Sequence, residues 1–165
     1  MATGEFTAVS LFTGAGGLDI GLEQAGFQTV SAVDSDPDCV ATLGVNQQAG
    51  ISCGDGRKHL AGAVLLASDI EQLDAAQLRP AGAGRGWTPD LMAGGPPCQP
   101  FSSSGKMLSV EDPRGKLFQH FVRLAAALQP KAILFENVRG LVTARGPRGE
   151  PGEVLVSRRI SSARN

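Results

Sequence analysis

Cys98 is the residue best suited to covalent chemistry in this 165-residue chain, and its surroundings read as a device for aiming it. Residues 90–105 run DLMAGGPPCQPFSSSG. Asp90 to Ala93 has the profile of a short buried strand, and Gly94-Gly95-Pro96-Pro97 forces a turn before the thiol. A cysteine just past the carboxyl end of such a strand stands where open α/β sheets place their ligands. Pro97 and Pro100 restrict the backbone on both sides, and three serines with Gly105 follow as a donor-rich loop. The thiol reads either as a small core hydrophobe or as a nucleophile. Core cysteines seldom sit in Pro/Gly/Ser loops, which favours the nucleophile, and a thiolate acts near neutral pH without a metal.

Two carboxylates and a glycine loop accompany it. Ala8 to Phe12 is an apolar run followed directly by Thr13-Gly14-Ala15-Gly16-Gly17, and Leu18, Ile20, Leu22 and Ala25 then recur at helical spacing until Gly26. Strand, glycine loop and helix form the first unit of a nucleotide-binding α/β fold, although Asp19 stands where the third glycine of G-x-G-x-x-G belongs. A second strand, Phe27 to Val33, ends in Asp34-Ser35-Asp36. Asp34 is placed either to accept hydrogen bonds from a ribose or as a plain surface carboxylate, whereas Asp36-Pro37 reads as a helix cap. Val64-Leu65-Leu66 is the third strand, with Ser68-Asp69-Ile70 at its end and a helix expected from about Ile70 to Leu78. Asp55 competes with Asp69 for the strand-end role. Residues 80–89 are a loop. Asp112-Pro113 caps an amphipathic helix carrying Leu117, Phe118, Phe121, Leu124, Ala125 and Leu128 on one side. Lys131 to Phe135 is a fifth strand, and Glu136-Asn137-Val138 at its end shares the rim with Cys98 if the two strands are neighbours. Glu136 otherwise reads as a capping or surface residue.

Composition bounds the class. Hydrophobic residues make up 42% and charged residues 19%, as in a globular domain. No apolar run reaches membrane-spanning length, and the start MATGEFTAVS lacks a basic secretion signal, so the expected compartment is the cytoplasm. Cys39, Cys53 and Cys98, with only His59 and His120 beside them, predict neither a disulfide framework nor a metal site. Residues 1–138 carry 9 Lys+Arg against 14 Asp+Glu, while residues 139–165 carry 6 Arg against 2 Glu. An acidic body is not the footprint of a free-standing DNA-binding domain.

Taken together, these motifs resemble the N-terminal half of a DNA (cytosine-5) methyltransferase. Phe12-Thr13-Gly14-Ala15-Gly16-Gly17 is similar to the family's S-adenosylmethionine loop, Asp34 to its ribose acid, Gly95 to Ser102 to its nucleophile loop, and Glu136-Asn137-Val138 to its catalytic glutamate motif. The resemblance covers roughly residues 8–157. It implies an incomplete Rossmann-like α/β methyltransferase fold of about five parallel strands with flanking helices, with residues 1–140 as the cofactor-binding catalytic subdomain. Cys98 and Glu136 are then the catalytic pair. Cofactor-binding falls to Phe12, Thr13, Gly14, Gly16, Gly17, Leu18, Asp34, Ser35, Asp69, Ile70, Pro97 and Leu117. Gln99, Ser102, Ser104 and Asn137 meet the nucleotide.

The implied reaction is addition of the Cys98 thiolate to C6 of a cytosine flipped out of duplex DNA, while Glu136 holds the N3 side, so that C5 accepts methyl. The family context is DNA methylation or restriction-modification, in a bacterial-type, nucleoid-associated setting. The family's Gln-Arg-x-Arg motif, target-recognition region and last helix are not matched. Residues 141–165 turn into SRRISSARN, which predicts a truncated, irregular tail. Two other outcomes stay open on that ground: an inactive fragment that at most binds S-adenosylmethionine, and one half of an enzyme completed by a C-terminal chain. Cytosine in RNA remains an alternative substrate. An NAD-binding dehydrogenase explains the glycines and Asp34 but leaves Cys98 without a task.

Overall fold

The computed structural model describes residues 6–53, 56–97 and 115–137. In chain order these form β1 (Phe6–Leu11), α1 (Gly17–Gln24), β2 (Phe27–Asp34), α2 (Pro37–Ala49), β3 (Val64–Ala67), β4 (Leu91–Gly94), α3 (Gly115–Leu128) and β5 (Ala132–Phe135). The five strands are parallel and ordered β3-β2-β1-β4-β5. Residues 17–137 thus wind outward from β1 in both directions, and β4 and β5 are neighbours, pairing Gly94 with Phe135.

Parallel strands are buried on both faces, which is why β1 and β4 read as continuous apolar runs. Val9, Leu11 and Met92 point to one face, against Phe121, Leu124 and Leu128 of α3. Ala8, Leu91 and Ala93 point to the other, against Leu22 of α1, and Ala32 meets Leu43 of α2. Each large side chain removed from water in this way contributes about 1.5–3 kcal/mol. The expected stripe on α3 is present from Phe121 to Leu128, whereas Phe118 lies at its margin, 44% exposed, with its ring edge-on to Phe135.

Asp90 ties the starts of three strands together. Its carboxylate accepts from Thr7 N at 2.8 Å, from the Thr7 hydroxyl at 3.1 Å and from Lys131 Nζ at 2.5 Å. Burial by itself would raise the Asp90 carboxyl, but the hydrogen bonds from Lys131 and Thr7 outweigh it and hold the group below its ordinary value.

The helix expected over Ile70 to Leu78 is not formed. Only Ala75–Leu78 is helical, as a single 3-10 turn capped by Asp74, with Gln77 reaching back to the Asp74 N–H. The Ile70 and Leu73 carbonyls, which a longer helix would use, instead accept from the Arg123 guanidinium at 2.8 and 3.0 Å. Tertiary hydrogen bonds to α3 therefore override the local pattern, and Asp69 Oδ1 turns the chain by accepting from Glu71 N. Among the described residues β5 is an open edge, with Ile133 and Leu134 48% and 40% exposed. No helix among them is long and apolar enough to cross a membrane.

Candidate active site

The glycine loop leaves β1 through a conformation that side chains rarely adopt. Phe12 has φ 55°, followed by Gly14 at φ 55° and Gly16 at φ 88°. Such strain at a bulky residue persists only where its surroundings impose it. Here Thr13 N donates to Val33 O at 3.1 Å and Gly16 N to Thr13 O at 3.0 Å, closing the turn over the end of β2. Gly16 is also the N-cap of α1.

That turn orients Asp34. Gly14 N donates to Asp34 Oδ2 at 2.8 Å and Asp36 N to Oδ1 at 2.9 Å, so the carboxylate at the tip of β2 is held on both oxygens. Asp36 is the helix cap expected of it, accepting from Asp38 N at 2.9 Å.

A cavity of about 300 Å³ opens along the carboxyl ends of the strands. Asp34 and Ser35 line it from β2, Asp69 and Ile70 from the end of β3, Phe12 from the loop after β1, Gly95 and Pro97 from the turn after β4, and Leu117 from α3. Its size lies at the lower end for small-molecule sites, and its walls mix apolar side chains with a few carboxylates. Thr13, Gly14, Gly16, Gly17 and Leu18 are not among its lining residues. Thr13 is buried with its hydroxyl donating to Asp19, and Leu18 packs on the Ala8, Leu91 and Ala93 cluster.

The turn after β4 meets the end of β5. Glu136 N donates to Gly94 O at 3.0 Å, and Asn137 Nδ2 donates to Pro96 O at 3.1 Å. The Glu136 carboxylate lies so close to Gly95 that a Cβ there would stand 2.6 Å from its Oε2. A glycine at 95 therefore admits the acid to the turn leading towards Cys98. Gly94 is enclosed for another reason, since a Cβ would stand 2.8 Å from Leu11 O and 3.0 Å from the Phe121 ring. Cys98, Gln99, Ser102 and Ser104, together with Asp55 and the Asp112-Pro113 cap, lie outside the described residues.

Three groups escaped the sequence reading. Asp19 appeared as a departure from a glycine pattern, yet it is fully buried on the inner face of α1 and accepts from Thr13. Burial pushes its carboxyl above the ordinary range, with the Thr13 hydrogen bond opposing. Glu23, one turn further on the same face, is 4% exposed. The i, i+4 spacing of two acids within an apolar helix was the available signal. Arg123 holds the Ile70 segment that lines the cavity, and nothing in its local sequence announces that long-range role.

Residues 6–149 match the family described as C-5 cytosine-specific DNA methylase. The type II methyltransferase M.AquIA of Picosynechococcus is 38% identical over 135 residues, 81% of this chain and 49% of that protein. The DNA (cytosine-5-)-methyltransferase M.ApeKI of Aeropyrum pernix is 39% identical over 146 residues, 84% of this chain and 30% of that protein. A prophage-encoded Escherichia coli protein described as a DNA modification methyltransferase superposes with a TM-score of 0.61 at 30% identity, covering 82% of this chain and 33% of that one. The chain thus spans half or less of the length of these relatives.

Proposed function

Because the chain belongs to the C-5 cytosine-specific DNA methylase family, we propose that it transfers a methyl group from S-adenosylmethionine to C5 of a DNA cytosine held outside the duplex. One observation carries this reading: Gly95, whose Cα face receives the Glu136 carboxylate, also lines the cavity that contains Asp34. A single turn therefore joins an acid suited to a base edge with a pocket suited to a nucleoside.

The residues present fit S-adenosylmethionine. Asp34, with both oxygens already aligned by backbone N–H groups, suits a ribose diol. Phe12, Ile70 and Leu117 supply apolar walls for an adenine, with Asp69 and Ser35 at its margin, and the Thr13–Gly17 turn acts on the ligand through Asp34, which Gly14 N holds. When bound, the cofactor supplies an electrophilic sulfonium methyl.

The chain's own residues prepare the acceptor. The Cys98 thiolate adds to cytosine C6, which moves the ring π electrons towards C5 and makes that carbon nucleophilic. Glu136 holds the N3 side of the ring as a hydrogen-bonding acid and stabilises the charge that develops there. After methylation a base removes the C5 proton, the C5–C6 double bond re-forms and the thiolate leaves. Asn137, which shapes the turn through Pro96 O, acts with Gln99, Ser102 and Ser104 on the flipped nucleotide.

The half-covered Ile133 and Leu134 on the β5 edge favour a second statement about the same enzyme. Residues 1–140 form the cofactor-binding catalytic subdomain and 141–165 a tail. A further segment, on this polypeptide or on a complementing chain, covers β5 and reads the DNA. The complete enzyme acts where the DNA is, in the cytoplasm of a bacterial-type cell.

DNA carrying 5-fluorocytosine tests the reading, because its fluorine cannot be lost as the C5 proton is. The chain completed with a family C-terminal half should form a denaturant-resistant complex, lost in Cys98→Ser and kept in Cys39→Ser, while the chain alone should form none. Calorimetry on the chain alone should show S-adenosylmethionine binding, weakened by about 1–3 kcal/mol in Asp34→Ala. No complex from the completed enzyme would overturn the mechanism. No heat would overturn the cofactor.

A further inference from the structure

Behind the glycine loop, on the side away from the cavity, lies a buried polar cluster that the reaction does not use. Glu23 Oε2 is 2.5 Å from His59 Nδ1 and accepts from Cys53 Sγ at 3.0 Å, while Oε1 accepts from Leu60 N at 2.9 Å. His59 is 1% exposed and its Nε2 has no hydrogen-bond partner among the described residues. The three side-chain donors lie within 4.8 Å of one another, close enough to raise the question of a metal. The 2.5 Å separation describes a hydrogen-bonded pair. Two ligands on one tetrahedral zinc ion stand about 3.3 Å apart, given bonds of about 2.0–2.1 Å, whereas 2.5 Å is a hydrogen bond.

With Nδ1 fixed by Glu23, the other side of the imidazole is forced against Gly16. A Cβ on Gly16 would stand 3.2 Å from His59 Nε2 and 2.7 Å from Leu43 Cδ2. Gly16 ends the turn in which Gly14 N holds Asp34, so the ring sits under the far end of the segment that orients the cavity's carboxylate. The near end is held by Asp19 through Thr13. Two carboxylates one turn apart on α1 thus grip both ends of the glycine loop, one directly and one through a histidine.

We propose that His59, clamped by Glu23, is a positioning residue for S-adenosylmethionine binding: it sets the height of Gly16 and thereby the alignment of the Gly14 N–H with Asp34. A buried ring held at one nitrogen and packed on glycine at the other leaves Gly16 no room to sink towards α2. The inference rests on the cofactor reading above and extends it to a residue outside the cavity.

Calorimetric Kd values for S-adenosylmethionine, read with thermal melts on the same chain, test it by a double-substitution cycle. His59→Ala should raise the Kd at least tenfold in the natural background and less than threefold in an Asp34→Ala background, because the two act on one contact. His59→Asn, whose amide nitrogen stands where Nδ1 does, keeps the N–H towards Glu23 but not the ring edge against Gly16, and should raise the Kd as His59→Ala does. If His59→Ala does not fold, Glu23→Gln takes its place in the same cycle, with the same non-additivity expected. Equal fold-changes in both backgrounds, or an unchanged Kd in His59→Ala, would overturn the proposal. So would stoichiometric metal in the purified chain that Cys53→Ser removes. The cofactor reading fails separately, through absent binding in the natural chain or no effect of Asp34→Ala.

Discussion

Replacing Gly95 by alanine separates the position of Glu136 from the stability of the fold. The φ of Gly95 is outside the left-handed region, so alanine suits the backbone. The new methyl meets Glu136 Oε2 at 2.6 Å, and ordinary contact begins near 3.4 Å, so the carboxylate must retreat by ~0.8 Å. It is the end of an exposed, rotatable side chain and yields at an off-rotamer cost of about 0.5–1.5 kcal/mol. Misplacing a reacting group by about 1 Å costs on the order of 100-fold in rate, so the expected loss of methyl transfer is roughly 10- to 100-fold. The methyl points at Glu136, so cofactor affinity should stay near that of the natural chain. The assay is transfer of labelled methyl to mixed-sequence DNA by the completed enzyme, beside thermal unfolding of the same variant. Unimpaired transfer would refute the placement of Glu136 at the reacting base, and a collapse in melting temperature would refute the claim that its side chain yields.

Gly94→Ala should behave in the opposite way. Its methyl meets backbone, Leu11 O at 2.8 Å, and the buried Phe121 ring at 3.0 Å, neither of which rotates aside. A loss of about 1–3 kcal/mol in urea unfolding is expected, and an unchanged midpoint would contradict the packing described. Asp90 predicts a pH dependence. Its folded-state pKa lies below the ordinary 3.8, so its contribution is complete above that value and is lost as pH falls through the folded value. The stability difference between the natural chain and Asp90→Asn, followed by urea unfolding from pH 7 to pH 3, should therefore shrink on acidification. A constant difference would mean that the carboxylate's charge contributes nothing. The buried Asp19 has the opposite sign and cancels in that comparison, being present in both proteins.

All five strands were legible as short runs closed by turn residues, β1 and β4 most plainly because they are covered on both faces. The place of Asp34 at the tip of β2 was legible because it ends such a run after a glycine loop. The segment from Ile70 to Leu78 was not, since its outcome depends on Arg123, some 50 residues later, taking the carbonyls a helix would need. Asp19 and Glu23 were missed because a buried carboxylate is recognised by its donors. Those donors, Thr13, Cys53, His59 and Leu60, are brought to it only by the folded loop.

The central position of β1 carries a consequence for the order in which the site is made. Phe6 pairs with Phe27, 21 residues on, whereas the Thr7–Asp90 bonds close 83 residues. By loop entropy alone the second closure costs about 1.2 kcal/mol more, two doublings of length at about 0.6 kcal/mol each. The β1–α1–β2 unit therefore assembles from neighbouring chain, and with it the Gly14–Asp34 contact. Gly95, Pro97 and Glu136 are brought together by the β4–β5 pairing, in which Leu91 meets Ala132, and reach Asp34 only when that pair docks on the opposite edge of β1. The Asp34 side of the cavity is thus the expected early product of folding, and the side where Gly95 meets Glu136 the late one.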